Sequence, residues 1–320
     1  MKKPHPEPKP LFIERMKELL GEDFKNYLKI LEIPPVKSIR CNTLKISPEK
    51  LKKRLEKKSW KIKQPWNENP EVMIIENPLE PGELGRALEH LLGYYYIQEL
   101  ASMLPVIALK PKKEDIILDL CSAPGSKTTQ LAAEIGNTGT IIANEISLGR
   151  IKILASNLER CGVTNTIITK KDGIALCKKL AKQNLKLDKI LVDAPCSGEG
   201  TLRSSPKTYL MWNINTIKQL SKIQKNLVSS AIELLKPNGE LIYSTCTHAP
   251  EENEEVVDFI LKEFKDKIKI EKISLPINPR QGIEKYKDKK YLKEVKCSCR
   301  IYPQDNNTEG FFIAKFRRVK

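Results

Sequence analysis

Two cysteines occupy matching places in this sequence. Cys196 lies in Leu191-Val192-Asp193-Ala194-Pro195-Cys196-Ser197-Gly198-Glu199-Gly200, and Cys246 in Leu241-Ile242-Tyr243-Ser244-Thr245-Cys246-Thr247-His248. Each follows a short apolar, β-branched run (Lys189 to Val192, Glu240 to Tyr243) that predicts a buried strand. Ligands of open α/β sheets bind at the carboxyl ends of strands. Neighbouring strands lie about 4.8 Å apart, so two such strands would present both thiols to one cleft. A thiolate can add to an electron-poor carbon and later leave it. Methyl transfer to carbon-5 of a pyrimidine needs that addition at carbon-6, a hydrogen bond to N3 as charge develops there, and loss of the carbon-5 proton. Asp193, Cys196 and Cys246 supply these residue types. Pro250-Glu251-Glu252, four residues beyond Cys246, looks like a helix start whose positive end would favour a thiolate. The plain alternative is that a cysteine at a strand end is a small buried hydrophobe.

A second group surrounds Asp119-Leu120-Cys121-Ser122-Ala123-Pro124-Gly125-Ser126-Lys127-Thr128. Strand, tight small-residue turn and helix make a binding crevice. With one glycine in the turn, neither the dinucleotide fingerprint nor a P-loop fits, so a pyrophosphate has no cradle. Glu145 ends the next strand, where a carboxylate takes a ribose diol. Asp172 ends the third and could accept from an adenine amino group. A nucleoside without phosphates, held by successive acids, points to S-adenosylmethionine. Any one of these acids could instead be a helix cap.

The elements that must position these groups alternate. Strands are expected over 116–120, 139–144, 166–169, 187–193 and 240–245, with helices over 98–108, 126–135, 147–160, 173–182, 213–235 and 251–264. That is a parallel Rossmann-like sheet with helices on both faces. Lys296 to Tyr302 and Gly310 to Arg317 predict an antiparallel edge hairpin. Ahead of it come two short helices over 11–32 split at Gly21, a strand over 38–46, a helix from Pro48 to Lys57, and strands at 60–64 and 72–75. They predict a small basic α+β domain, residues 1–92, before an α/β catalytic domain, residues 93–320. Trp60 and Trp66 among its lysines are either a base-stacking surface or core.

The 320 residues carry 56 Lys and Arg against 40 Asp and Glu, a net charge of +16. The excess is unpaired and favours a polyanionic partner, most simply nucleic acid. Eight dispersed cysteines without a Cys-x-x-Cys pair, and three histidines, argue against a metal site. No role follows for Cys297 and Cys299. Residues 1–10 are charged and proline-rich, unlike a signal peptide, and no run reaches membrane-span length. A cytoplasmic protein with free thiols and no membrane partner is expected.

The blocks Asp119–Thr128, Asp193–Arg203 and Ser244–Asn253, with Gly310-Phe311-Phe312, resemble the signatures of the Sun/Nop family of RNA 5-methylcytosine methyltransferases. Ser38-Ile39-Arg40-Cys41-Asn42-Thr43-Leu44 extends the likeness more loosely to the N-terminal part. The resemblance implies an S-adenosylmethionine-dependent RNA cytosine-5 methyltransferase with Cys246 as the nucleophile at carbon-6. Cys196 would help release the methylated RNA, and Asp193 would sit between donor and base. Cys121, Ser122, Ala123, Pro124, Gly125, Ser126, Lys127, Glu145, Arg150 and Asp172 would bind the cofactor. Ser126 replaces a more usual glycine and Glu145 a more usual Asp. DNA cytosine-5 enzymes share only the Pro-Cys block, and would make Cys196 the nucleophile. A non-catalytic RNA-binding assembly factor could have lost the cysteines or acids that are present here. The compact chain resembles archaeal members acting on tRNA more than longer bacterial ones acting on rRNA. A monomer is expected.

Overall fold

The computed structural model describes residues 7–319; Met1 to Pro6 of the proline-rich start, and Lys320, lie outside them. Contacts divide the chain into two units. One holds Val36–Asp193 and Ser230–Ile242; the other holds the segment up to Pro35, Ala194–Ser229 and the chain from Tyr243 onward.

The first unit contains two sheets. The smaller is built from β1 (Lys37–Cys41), β2 (Ile62–Lys63), β3 (Val72–Ile75) and β4 (Tyr95–Ile97), in the order β2-β3-β1-β4. Its pairings are antiparallel. The strand expected over 38–46 stops at Cys41, and β4, outside the expected strands, forms an edge by pairing with β1. Helix Pro48–Glu56 starts as its sequence predicts, with Pro48 in the first turn and the Ser47 hydroxyl accepting from Lys50 N–H at 3.4 Å. Its Leu51 and Leu55 pack with Ile39, Cys41, Trp60, Ile62, Met73, Ile75 and Tyr95. Trp60 and Trp66 are both buried, so neither is the exposed stacking platform their lysine-rich setting suggested. Trp60 instead donates its indole N–H to Glu83 at 2.8 Å.

The larger sheet of this unit is parallel: β5 (Ile116–Asp119), β6 (Thr140–Asn144), β7 (Thr166–Thr169) and β8 (Leu187–Asp193). The order β8-β5-β6-β7 follows the predicted alternation with helices Ser126–Glu134, Leu148–Cys161 and Gly173–Lys182. Nearly continuous apolar runs such as Ile116-Ile117-Leu118 form these strands because both faces are covered.

Polar side chains from β1 and its turn secure the small sheet to this larger one. Buried Arg40 donates to Gln98, to Ser126 O at 2.8 Å and to Thr129 Oγ1 at 2.9 Å. Asn42 donates to Gly93 O at 2.8 Å and Cys161 O at 2.7 Å. Lys45 reaches Leu92 O and Arg160 O, and Arg160 in return reaches His90 O and Tyr95 O. The approach at Gly93 requires glycine: its φ is +70°, and a Cβ there would lie 1.9 Å from Arg160 O.

Strand β9 (Leu235–Thr245) begins in the first unit and ends in the second, starting five residues earlier than its apolar run suggests. In the second unit follow β10 (Ile268–Glu271), β11 (Arg280–Gln281), a small hairpin of β12 (Lys285–Tyr286) and β13 (Lys289–Lys290), β14 (Cys299–Ile301) and β15 (Phe311–Arg318). The expected antiparallel pair is β14 with β15; β10 also pairs with β15, and β11 with β14. Helices Pro10–Leu20 and Phe24–Leu31, split at Gly21 as predicted, bury Phe12, Met16, Leu20, Phe24 and Tyr27 against Trp212, Ile217, Ala249 and Tyr302 of this unit. Helix Ile214–Ile232 supplies Ile217. Among the described residues no helix is long and apolar enough to cross a membrane.

Candidate active site

Strand register sets one group of candidate residues, all in the first unit. Asp119 of β5 is level with Ala143 of β6 and Leu191 of β8, and Ala143 is level with Ile168 of β7. Asp119, Glu145, Asp172 and Asp193 therefore gather at the carboxyl edge of one parallel sheet. Asp119 accepts from Thr128 Oγ1 at 2.7 Å, and burial pushes its carboxyl up to about 7. Glu145 is buried; it pairs with Arg150 at 2.9 Å and accepts from Ser147 N–H at 2.9 Å. Asp172 is exposed, and one of its oxygens caps helix Gly173–Lys182 through Ala175 N–H at 3.0 Å. The cap leaves the second carboxylate oxygen for other partners.

Between these acids runs the turn from Cys121 to Lys127. Ser122 donates both its N–H and its hydroxyl to Asn144 O at 2.9 Å, and Gly125 N–H closes the turn on Ser122 O at 2.8 Å. Gly125 has φ +102°, a conformation that side-chain-bearing residues rarely adopt. Ala123 O accepts from Arg150 at 2.6 Å, and Pro124 O from Asn157 at 2.9 Å. Burial pushes the Cys121 thiol well above its usual range, so it stays a neutral lining group. Buried Lys127 lies 2.7 Å from Asp193 and 2.9 Å from Ser102 Oγ. Carboxylates dominate this edge, and its one buried cation is already matched by a carboxylate. Such a donor set fits hydroxyl, amine and cationic groups, the polar parts of S-adenosylmethionine, and disfavours a phosphate ester.

A second group of candidate residues lies within the other unit. The sulfurs of Cys196 and Cys246 are 2.9 Å apart, and Cys246 N–H donates to Cys196 Sγ at 3.2 Å. The contact with Cys246, and then burial, raise the Cys196 thiol well above its ordinary range. Cys196 is therefore protonated near neutral pH. Ser197 and Thr247, the residues after each cysteine, share a hydroxyl contact of 2.7 Å. Gly200 N–H donates to Cys246 O at 2.9 Å, and a Cβ on Gly200 would meet that oxygen at 2.9 Å and Gly310 O at 2.2 Å.

The helix expected to open at Glu251 opens at Glu254, because Glu252, Asn253 and Glu254 are all turned inward. A helix end four residues from Cys246 is therefore absent, and side-chain hydrogen bonds occupy its place. Thr245 Oγ1 donates to Asn253 Oδ1 at 2.6 Å, and Asn253 Nδ2 donates to Thr247 O at 3.0 Å. Glu252 accepts from Ser197 N–H at 3.1 Å and from Gln224 Nε2 at 2.8 Å. Burial pushes the Glu252 carboxyl up to about 7. Gln224 and Asn253 escaped the sequence reading, since pairings across 28 and 8 positions have no local pattern.

His248, two residues past Cys246, is fully buried, stacked on Tyr302 at 4.9 Å with Tyr27 edge-on at 5.6 Å. Burial, reinforced by Arg300, pushes its imidazole down to about 3. The unfolded chain takes up a proton as pH falls through about 6.5, whereas the folded one does not until near 3. Stability from this group is therefore lost as pH falls between those values. At pH 5 the loss amounts to about 2 kcal/mol. Urea midpoints at pH 7 and pH 5 should differ less for His248→Gln than for the unaltered chain.

Residues 106–317 match the family model for the 16S rRNA methyltransferase RsmB/F, and residues 9–100 match that for the N-terminal domain of the 16S rRNA methyltransferase RsmF. The chain is 40% identical over 308 residues to a tRNA (cytosine(49)-C(5))-methyltransferase of Pyrococcus abyssi, covering 96% of both proteins. It is 42% identical to ribosomal RNA small subunit methyltransferase F of Aliivibrio salmonicida, but spans only 58% of that protein's length. A solved methyltransferase homolog protein from Pyrococcus horikoshii superposes with a TM-score of 0.84 at 35% identity, covering 97% of this chain and 95% of the other. NSun6 from the same organism, solved with SFG, gives 0.83 at 28% identity over 98% of each chain.

Proposed function

The chain belongs to the RsmB/F family of methyltransferases, and from that premise we propose that it methylates carbon-5 of a cytosine in tRNA, with Cys246 as the nucleophile. The enzyme class is RNA (cytosine-5-)-methyltransferase. The observation that carries the choice of tRNA is the match along 96% of both chains to the Pyrococcus abyssi tRNA enzyme. Ribosomal RNA is the second reading, favoured by the bacterial relatives, whose own length the chain covers only in part. We place the enzyme in the cytoplasm, acting as a monomer, with residues 1–92 as the basic RNA-binding domain and 93–320 as the catalytic domain.

S-adenosylmethionine, when bound, supplies the methyl group; Asp119, Glu145 and Asp172, with the turn Cys121–Lys127 and Arg150, would hold it. The Cys246 thiolate forms a bond to carbon-6 of the cytosine and pushes electron density onto carbon-5. As charge gathers at N3, Asp193 would have to carry a proton to donate a hydrogen bond to that nitrogen, and Lys127, 2.7 Å away, fixes the direction of its carboxyl group. After carbon-5 has gained the methyl group it loses its proton to solvent water acting as the base. That electron pair re-forms the ring double bond, and the sulfur–carbon bond breaks. Cys196, in contact with the departing sulfur, assists this last step. The target base must first leave its stack, at a cost of a few kcal/mol.

Incubation with labelled S-adenosylmethionine and total tRNA or total rRNA, separately, tests the proposal. Label recovered as 5-methylcytosine in tRNA is the expected result. Label confined to rRNA overturns the substrate, and label in neither overturns the assignment. Phosphate contacts made by a strongly basic chain also predict salt-sensitive docking. The dissociation constant for tRNA should rise about ten-fold or more between 50 and 200 mM salt. A flat titration would exclude phosphate-driven docking.

A further inference from the structure

The residues on either side of each active thiol are held by side chains from elsewhere in the same unit, three through the main chain and Thr245 through its hydroxyl. Around Cys196, Gln224 Nε2 donates to Pro195 O at 2.9 Å and to Glu252 Oε2 at 2.8 Å, and that oxygen also accepts from Ser197 N–H at 3.1 Å. Around Cys246, Asn253 takes the Thr245 hydroxyl at 2.6 Å and gives its amide to Thr247 O at 3.0 Å. Gln224, Glu252 and Asn253 are all fully buried, and Tyr243 OH donates to Glu252 O, so the paired bracket has little freedom to move. Burying a glutamine, a glutamate and an asparagine is costly unless their hydrogen bonds are made. Gln224 Oε1 and Glu252 Oε1 lack hydrogen-bond partners among the described residues. A cheaper apolar filling of the same space could not grip the main chain at Pro195, Ser197 and Thr247 or the hydroxyl of Thr245.

We propose that Gln224, Glu252 and Asn253 are positioning residues of the methyl-transfer reaction. Gln224 and Glu252 set the place of the Cys196 sulfur, and Asn253 sets that of Cys246. The inference rests on the roles assigned to the two thiols above. It divides the bracket by step: Asn253 serves attack on carbon-6, while Gln224 and Glu252 serve release of the methylated RNA. Displacement of a reacting group by about 1 Å costs up to a hundred-fold in rate. Loss of either side of the bracket should therefore be felt in turnover rather than in RNA affinity.

The test is steady-state kinetics with tRNA, together with the fraction of enzyme in a denaturant-stable RNA adduct, for Gln224→Leu, Glu252→Ala, Glu252→Gln and Asn253→Ala. Expected for Gln224→Leu and Glu252→Ala is a fall in kcat of about ten-fold or more, an unchanged KM for RNA, and an adduct fraction above that of the unaltered enzyme. Glu252→Gln, which keeps an acceptor for Ser197 N–H, should recover most of the lost rate. Asn253→Ala should lower kcat with the adduct fraction below that of the unaltered enzyme. Rates and adduct that fall together in all variants, or no change in either, overturn the inference. Cys196→Ala is the control: if it accumulates adduct and the bracket variants do not, only the inference fails. If it accumulates none, the assignment of the thiols fails as well.

A second measurement dispenses with RNA and does not depend on how well a variant turns over. Diamide accepts the two thiol hydrogens, is reduced to the hydrazine, and leaves an S–S bond between Cys196 and Cys246. With the sulfurs held 2.9 Å apart, coupling should be fast in the unaltered protein. It should slow about ten-fold in folded bracket variants. Equal coupling rates would count against a positioning role.

Discussion

Replacing Cys246 by alanine should abolish methyl transfer, while replacing Cys196 by alanine should leave the enzyme locked to its RNA. The two side chains are of one kind and their sulfurs touch, so a difference in outcome would come from their roles and not from their surroundings. Without Cys246 no bond forms at carbon-6, carbon-5 is not activated, and the rate should drop on the order of 10⁴-fold or more. Without Cys196 the attack and the methylation proceed, but the sulfur–carbon bond breaks slowly. A band of protein joined to RNA should then survive denaturing electrophoresis and grow to near one RNA per enzyme. The opposite pattern, adduct with Cys246→Ala and a dead Cys196→Ala, would assign the nucleophile as in DNA cytosine-5 enzymes. Neither variant should unfold, since both positions are half-buried and lose only a thiol.

The largest effect on stability is expected at Arg300. Its guanidinium is 2% exposed and faces Glu254, which is completely buried; it also donates to His248 O at 3.0 Å and Tyr302 OH at 2.9 Å. Burial works against the charge on Arg300, but Glu254 and Tyr302 more than restore it, so the guanidinium stays charged at any working pH. Arg300→Met strands the Glu254 carboxylate in the core with Ile283 N–H, at 3.2 Å, as its remaining recorded donor. The expected cost is about 3–5 kcal/mol. The double variant Arg300→Met, Glu254→Leu removes both charges and should recover most of that loss, because a buried pair is worth little more than a well-packed apolar one. Chemical denaturation of the four proteins gives the coupling directly. Additive losses would mean that the two residues act separately.

What could be read in advance was what is decided locally. The strand ends that carry Cys196, Cys246 and the acids announce themselves because apolar runs and turn residues are short-range signals. Hence the parallel sheet around β5 followed from alternation, while its strand order is a finding of the structure. Trp60 and Trp66 were ambiguous, since a large amphipathic ring among lysines suits a core or a stacking surface equally well; burial decides for the core. Pro250-Glu251-Glu252 has the composition of a helix start, yet the chain delays the helix to spend Glu252 and Asn253 on the loops of the two thiols. Strand β4 exists only because β1 offers an edge. Gln224 was hidden in an ordinary amphipathic helix, its partner lying on another segment altogether.

The seam that ties the small antiparallel sheet to the parallel one is written mostly in main-chain oxygens. Arg40 uses the carbonyl of Ser126, Asn42 those of Gly93 and Cys161, Lys45 those of Leu92 and Arg160, and Arg160 those of His90 and Tyr95. A carbonyl is present whatever side chain its residue carries, so one bank of the seam can drift in sequence without breaking it. Ser126 is such a case: a glycine in its place would offer Arg40 the same oxygen. Gly93 apart, where a Cβ would meet Arg160 O at 1.9 Å, drift is cheap on the acceptor bank and expensive on the donor bank. Exchange of segments between relatives should therefore succeed across this seam wherever Arg40, Asn42, Lys45, Gly93 and Arg160 travel intact.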